Sequence, residues 1–167
     1  MARKKLKPQS IKILKMIHII FAFGWLIGGI TLCLLVFIIT PTSGDELFMH
    51  SRILQIIDYY FIIPGALGAL ITGLVYSIWT NWGFFKHRWI TVKWVMIIIQ
   101  IISGTFILGP CIDENVVIAN QFRDAALFDV VFLNNLQITK TLGTIQTVMI
   151  LFLVIISVQK PWKKIKN

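Results

Sequence analysis

The stretch MIHIIFAFGWLIGGITLCLL, which runs from Met16 to Leu35, decides the fold class of this 167-residue chain. About 20 mostly apolar residues in a helix are enough to cross the hydrocarbon core of a bilayer, and this stretch reaches that length. The whole chain is 57% hydrophobic, whereas soluble domains are typically about 45–50% apolar even with glycine counted. We therefore expect a protein that lives in a membrane.

Three more apolar runs of spanning length follow the first. The predicted spans cover roughly residues 14–39, 59–80, 89–108 and 136–158, and Gly109 and Pro110 are expected to end the third. The prediction is an all-α membrane protein, a single four-helix bundle domain over residues 1–167. The segment 111–135 is expected to be the only long loop, formed either as a helical extension of the fourth span or as an interfacial helix.

The charged residues predict the orientation of the bundle. Thirteen of the 16 Lys and Arg residues lie within residues 3–15, 86–93 and 160–166, and all seven Asp and Glu residues lie between residues 45 and 129. The positive-inside rule places both termini in the cytoplasm and residues 41–57 and 110–135 outside the cell membrane. Because the basic residues border apolar spans, the net charge of +9 points to membrane lipids as partners and not to nucleic acid.

The two cysteines, Cys33 and Cys111, form neither a C-x-x-C pair nor any spacing typical of zinc sites. We expect both to be unpaired. A disulfide stays an alternative if both lie near the outer face.

His18 is the first polar residue that a membrane span would not ordinarily hold. Trp25, Gly28 and Gly29 follow it at spacings of seven, ten and eleven residues, so all four lie on one helical face. This face is expected to point into the bundle, because glycines let a second helix or a flat ligand come close. His18 is then either a hydrogen-bonded residue near the interface, or an axial ligand or proton carrier.

Two further ionisable residues lie at the ends of predicted spans. Lys93 is near the cytoplasmic start of the third span, where it either snorkels to the headgroups or faces the interior and meets an anionic group. Asp58 directly precedes the second span, where a first-turn acid would complement the helix dipole. Lys93 thus has a structural interpretation beside a functional one, whereas the interpretation of Asp58 is structural.

The histidine, tryptophan and paired glycines of the first span resemble small bacterial four-helix membrane proteins. The chain is similar over most of its length to bacterial integral membrane proteins of unassigned function, through IIPGALGALITGLVYSIWTNWGFFKHRWITVKW (62–94) and GTFILGP (104–110). It also resembles the HemJ-type protoporphyrinogen oxidases at His18, Trp25 and Lys93, and the CopD-like copper-resistance membrane proteins more weakly.

The resemblance to the HemJ type implies that His18 binds haem b and that Lys93 has a catalytic role. Haem b needs an axial nitrogen, a flat apolar slot and cations for two propionates. His18 would be the metal ligand and Trp25 a wall of the slot. The glycines expected to thin the helix faces around the slot are Gly24, Gly28, Gly29, Gly68 and Gly73. The cations expected near the propionates are Lys15, Arg88 and Lys93.

Two functions of different classes follow. The first is a membrane-embedded haem b protein that acts in electron transfer or oxidises a porphyrin-like or quinone-like substrate, with a small hydrophobic substrate or a redox partner. The alternative is a non-catalytic membrane protein without cofactor, such as a small transporter, an accessory subunit or a scaffold. No Asp or Glu lies inside a predicted span, which disfavours a proton-coupled transporter. The glycine faces also permit a homodimer.

Overall fold

Four long helices make up the computed structural model, which describes residues 5–160. Helix α1 is Pro8–Ile38, α2 is Gly44–Trp79, α3 is Arg88–Phe128 and α4 is Val130–Gln159. Each is long and apolar enough to cross a membrane, and no strand occurs in this range. The predicted all-helical architecture is therefore confirmed. The predictions for Arg3, Lys4 and the basic residues after Lys160 lie outside the described residues.

The two ends of the bundle differ in charge. The backbone N–H of Leu6 donates to Trp79 O at 3.1 Å, and Lys160 Nζ lies 5.1 Å from the ring centroid of Trp82. The start of α1, the α2–α3 connection and the end of α4 therefore meet at one end, which we term the basic end. The opposite end holds residues 39–58 and 109–135 with all seven acids, and we term it the acidic end.

Helix α2 begins much earlier than its predicted span. Its N-terminus is fixed by Ser43, whose hydroxyl oxygen accepts from the Glu46 backbone N–H at 3.3 Å, with Asp45 and Glu46 in the first turn. An N-cap serine followed by acids is a favourable helix start. Leu47 and Leu54 then lie buried at helical spacing, so residues 44–57 form an amphipathic extension of the span and not a loop.

Helix α3 runs through Gly109 and Pro110, so the prediction that they end the third span is wrong. A proline inside an α-helix loses a hydrogen bond and clashes with the carbonyl four residues earlier. Here a π-helical turn, Gly104–Leu108, precedes the proline, and the Gly109 N–H donates five residues back to Gly104 O. The wider turn accommodates the proline and lets the helix continue.

Most of segment 111–135 extends the third span instead of the fourth. The α-helical part Gly109–Phe122 is followed by a 3₁₀ turn, Arg123–Phe128, and α4 starts at Val130 with the Asp129 carboxylate accepting from the Phe132 N–H at 2.8 Å. The extensions of α2, α3 and α4 share a hydrophobic core at the acidic end. Its buried members are Leu47, Ile118, Ala119, Ala126 and Phe132.

Candidate functional site

The predicted stripe on α1 faces the interior of the bundle. Trp25, Gly28 and Gly29 are buried, and His18 reaches across to α2, whereas Ile27 on the other side of the helix is exposed. The packing of α1 was thus predictable from the spacing of these residues. What fills the space in front of the stripe was not.

His18 is hydrogen-bonded to a neighbouring helix. Its Nδ1 lies 2.6 Å from Thr72 Oγ1, and that hydroxyl already donates to Gly68 O at 2.6 Å. A threonine has one hydroxyl proton, so when Thr72 donates to Gly68 O, the Nδ1–H of His18 is the donor to Thr72. Tyr76 lies edge-on to the imidazole, with ring centroids 6.0 Å apart. The imidazole is therefore oriented by α2.

The side chain of Lys93, on α3, extends toward α4. Its Nζ donates to Ser157 Oγ at 2.7 Å and lies 5.8 Å from the ring centroid of Trp89. The Ser157 hydroxyl in turn donates to Leu153 O at 2.6 Å. Across the described residues no carboxylate lies near Lys93, because all seven acids belong to the acidic end. This ammonium is held by a hydroxyl and an aromatic face.

Side chains fill the space in front of three of the glycines that were expected to form a haem slot. A Cβ added at Gly28 would lie 2.9 Å from Ile62 Cγ1, and one added at Gly29 would lie 2.9 Å from Thr147 Oγ1. The Phe21 ring fills the space in front of Gly68. Gly24 and Gly73 leave more room, since an added Cβ would meet nothing within 4 Å at Gly24 and only Trp94 Cζ2, at 3.9 Å, at Gly73.

The other haem-related residues do not gather around His18. Lys15 and Arg88 are exposed, and neither is hydrogen-bonded to His18 or Lys93. Trp25 packs against the backbone of α2, where a Cβ added at Gly65 would lie 2.6 Å from Trp25 N. The cavity beside this stripe measures about 40 Å³, whereas ligand pockets span roughly 300–1,000 Å³. These residues do not fit a haem in this arrangement.

Asp58 was singled out in the sequence, but its structural role was wrongly predicted. It was expected to begin a helix and complement its dipole, but fourteen helical residues precede it, so that interpretation is wrong. Its side chain is only 7% exposed. Within residues 5–160 its carboxylate forms no salt bridge and accepts no hydrogen bond. The burial of Asp58 could have been predicted from the sequence, because Asp58 follows the buried residues Leu47 and Leu54 on the same helix face, at spacings of eleven and four residues.

The 40 Å³ cavity lies among all four helices, and Asp58 is one of its walls. Both π-helical turns border it, the turn Asp58–Ile62 on α2 and the turn Gly104–Leu108 on α3. Helix α1 contributes apolar atoms. The remaining wall comes from α4, with Thr139, Gly143, Gln146, Thr147 and Ile150. π-Bulges inside α-helices occur frequently at functional sites.

A pair of buried amides lies on the basic side of this cavity. Gln146 Nε2 donates to Ser103 Oγ at 2.8 Å and to Gln100 O at 3.3 Å. The side chain of Gln100 is only 1% exposed, and neither its amide nitrogen nor its amide oxygen has a partner among the described residues. A buried polar group left unpaired is costly, so its retention needs a reason other than packing.

A neighbouring acid, Asp113, is in contrast fully satisfied. It accepts from Gln55 Nε2 at 2.6 Å and from the Tyr59 hydroxyl at 2.9 Å, and Arg52 in turn donates to Gln55. This network links α2 to α3 at the acidic end. Asp58, next to it on α2, is left out of the network and faces the cavity.

No cluster of three or more His, Cys, Asp and Glu side chains suited to a metal occurs within residues 5–160. Cys33 and Cys111 are both free thiols, and Cys33 Sγ lies 3.4 Å from Thr147 Oγ1. Comparison of the chain with protein-family models, curated proteins and solved structures finds no match. The resemblance to HemJ-type and CopD-like proteins therefore stays a prediction, and function has to be inferred from the site.

Proposed function

We propose that this chain is a small multi-pass membrane transport protein whose bundle interior carries a proton or a small cation. Asp58 carries the proposal. It is a buried carboxylate without a protein donor, in a cavity that all four helices enclose. Ionisable residues inside membrane helices are rare and mark ion or proton pathways by default. The absence of an acid from the predicted spans disfavoured a proton-coupled transporter. Asp58 directly precedes the second predicted span and is buried in a cavity lined by all four helices, which supports a role in ion transport.

Polar groups continue from Asp58 toward the basic end. Gln146 and Thr147 line the same cavity, Gln100 and Ser103 adjoin Gln146, and beyond them lie the Lys93–Ser157 and His18–Thr72 pairs. Glycine, leucine and isoleucine would fill these positions at lower cost in an apolar solvent. A polar file through the interior is what an ion pathway requires.

The file is interrupted in this conformation. Lys93 and Gln100 are seven residues apart on α3, which is about 10 Å at 1.5 Å per residue. No direct hydrogen bond spans that distance. Conduction would therefore require water to enter or the helices to shift, and the bundle described here is a closed state of the proposed pathway.

The proposal is tested by proton flux in liposomes. The purified full chain is reconstituted with a pH-sensitive dye inside, and a potassium diffusion potential is imposed with valinomycin. We expect the internal pH to change faster than in empty liposomes. Asp58→Asn, which keeps the shape of the side chain, should lower the protein-dependent rate at least about tenfold, as loss of a positioned proton carrier commonly does. Asp45→Asn, at an exposed acid, should keep the wild-type rate.

Two results would contradict the proposal. One is a rate no greater than that of empty liposomes, measured with imposed gradients of protons and of sodium in turn. The other is full flux in a folded Asp58→Asn protein. The absorption spectrum of the same preparation tests the haem prediction, because bound haem b gives a Soret band that should disappear in His18→Ala.

A further inference from the structure

We propose that the cavity beside Asp58 is a binding site for a partly dehydrated alkali cation, and that this cation is Na⁺. This inference rests on the proposed function in that both use Asp58, and it deepens it by naming the ion. Three features of the cavity support it: its oxygen ligands, its charge and its size.

The hydroxyl groups of the cavity wall offer oxygen lone pairs only. Thr147 donates its proton to Gly143 O at 2.9 Å, and Thr139 donates its proton to Asn135 O at 2.8 Å. Each hydroxyl has a single proton and two acceptor lone pairs. With their protons directed to the backbone, both hydroxyls have oxygen lone pairs available to coordinate a cation.

The side-chain amide of Gln146, in the cavity wall, also uses its N–H groups in hydrogen bonds within the protein. The two partners of Gln146 Nε2 are Ser103 Oγ and Gln100 O. Ser103 has already donated its proton to the backbone of its own helix, at 2.8 Å to Ile99 O, so both partners are acceptors. Both N–H groups of Gln146 are thereby used, so its carbonyl oxygen is the amide atom available to a cation.

The charge of the wall is that of one carboxylate. Asp58 has no basic partner in the described chain, and a buried charge must be paired or neutralised. A monovalent ion balances it, whereas a divalent ion would leave a net positive charge in an apolar surrounding. Mg²⁺ and Ca²⁺ sites commonly use more than one carboxylate or keep several waters. This cavity has one carboxylate in its wall and is too small for several waters beside the ion.

The size of the cavity limits how the ion is held. At about 40 Å³ it is a few times the roughly 10–15 Å³ that one water molecule needs. It has room for one small cation with one or two waters and not for a fully hydrated ion. The protein oxygens must replace most of the hydration shell, and hard oxygen ligands of this kind suit alkali cations and not soft metals.

The test is thermal unfolding of the detergent-purified full chain, followed by tryptophan fluorescence. Unfolding is measured in NaCl and in choline chloride at equal ionic strength. A ligand that binds only the folded state raises Tm with increasing concentration. We expect a saturable rise of Tm with Na⁺ and none with choline. Asp58→Asn should abolish the rise, and Asp45→Asn at the exposed ion pair should preserve it.

A second variant covers the case in which Asp58→Asn does not fold. Thr147→Val keeps the shape of the residue that contacts Gly29 and removes one oxygen from the cavity wall. It should shift the Na⁺ concentration for half-maximal effect upward by about tenfold, the loss expected for one contact to a charged group. An unchanged midpoint in that variant would overturn the site.

The outcomes separate this inference from the proposed function. Equal Tm values in NaCl and choline overturn the cation site, whether or not the liposomes conduct protons. A Tm that responds to pH but not to Na⁺ assigns a proton to Asp58, which also overturns the cation site and leaves proton transport standing. Saturable stabilisation by Na⁺ without flux of either ion supports the site and rejects transport.

Discussion

Single residues on α1 show why one sequence pattern admitted two functions. A glycine removes the same volume from a helix face whether a flat cofactor or another helix fills it. At Gly28 the occupant is Ile62 of α2, and at Gly29 it is Thr147 of α4. The spacing from His18 predicted which way these residues point, and only the packing of the neighbouring helices reveals what they meet.

The occupancy of Gly28 gives a prediction at this scale. A Cβ there already lies 2.9 Å from Ile62, so Gly28→Leu must force α1 and α2 apart, at a cost of about 1–3 kcal/mol or more. Ile27→Leu, one residue away on the exposed face, should be close to neutral. Thermal unfolding of both variants in detergent measures the difference. Equal melting temperatures would mean that the two faces are wrongly assigned.

The polar residues of the site were predictable to different degrees. His18 and Lys93 stand out because each interrupts an apolar run, and their hydrogen-bond partners Thr72 and Ser157 lie far away in sequence. Asp58 was also singled out, but its place in the helix was wrongly predicted. It lies at the boundary between an amphipathic turn and an apolar run, where a hydropathy pattern places the start of a span and treats the acid as a cap.

Helices α2 and α3 share an irregularity that misled the boundary prediction. In DYYFIIP (58–64) and GTFILGP (104–110) a π-helical turn of five residues and one further residue precede the proline. The π-turn absorbs the missing hydrogen bond and the clash that a proline causes. Proline therefore does not end either helix. Sequence rules predict that the helix ends at Pro110, because they do not take a preceding π-helical turn into account.

The helical extensions at the acidic end give a prediction for whole elements. Residues 45–57 and 111–122 should show slow amide hydrogen exchange, as the spans do, because their hydrogen bonds are helical and their inner faces are buried. Residues 80–87, in the α2–α3 connection, should exchange fast. Mass spectrometry of exchanged peptides distinguishes these segments. Fast exchange across 45–57 would show that this segment is not a stable helix.

A matched pair of variants probes the same extensions. Ala119 is completely buried in the core at the acidic end, whereas Val117 is exposed two residues earlier. Ala119→Leu should overfill that core and speed exchange in residues 45–57 of α2 as well as in its own helix. Val117→Leu should leave both unchanged. Acceleration confined to residues 111–122 would show that the two extensions do not stabilise each other.

The molecule as a whole is divided by charge along the direction of its helices. Within residues 5–160 the seven acids lie at one end, and most Lys and Arg residues lie toward the other, which α1, the α2–α3 connection and α4 share. Hydrophobic length was sufficient to predict the four helices. The packed acidic end could not be predicted in the same way, because its amphipathic turns bury only one face and its core joins residues from three helices.

The charge division predicts the orientation of the bundle, which accessibility in whole cells can test. Phe128 at the acidic end and Phe85 at the basic end are matched probes, 84% and 72% exposed and both outside the apolar runs. In a background with Cys33→Ala and Cys111→Ala, a membrane-impermeant maleimide should label Phe128→Cys in intact cells. Phe85→Cys should react only after permeabilisation, because cytoplasmic loops carry the excess of Lys and Arg. Labelling of Phe85→Cys in intact cells would reverse the orientation and place the Asp58 cavity nearer the cytoplasm.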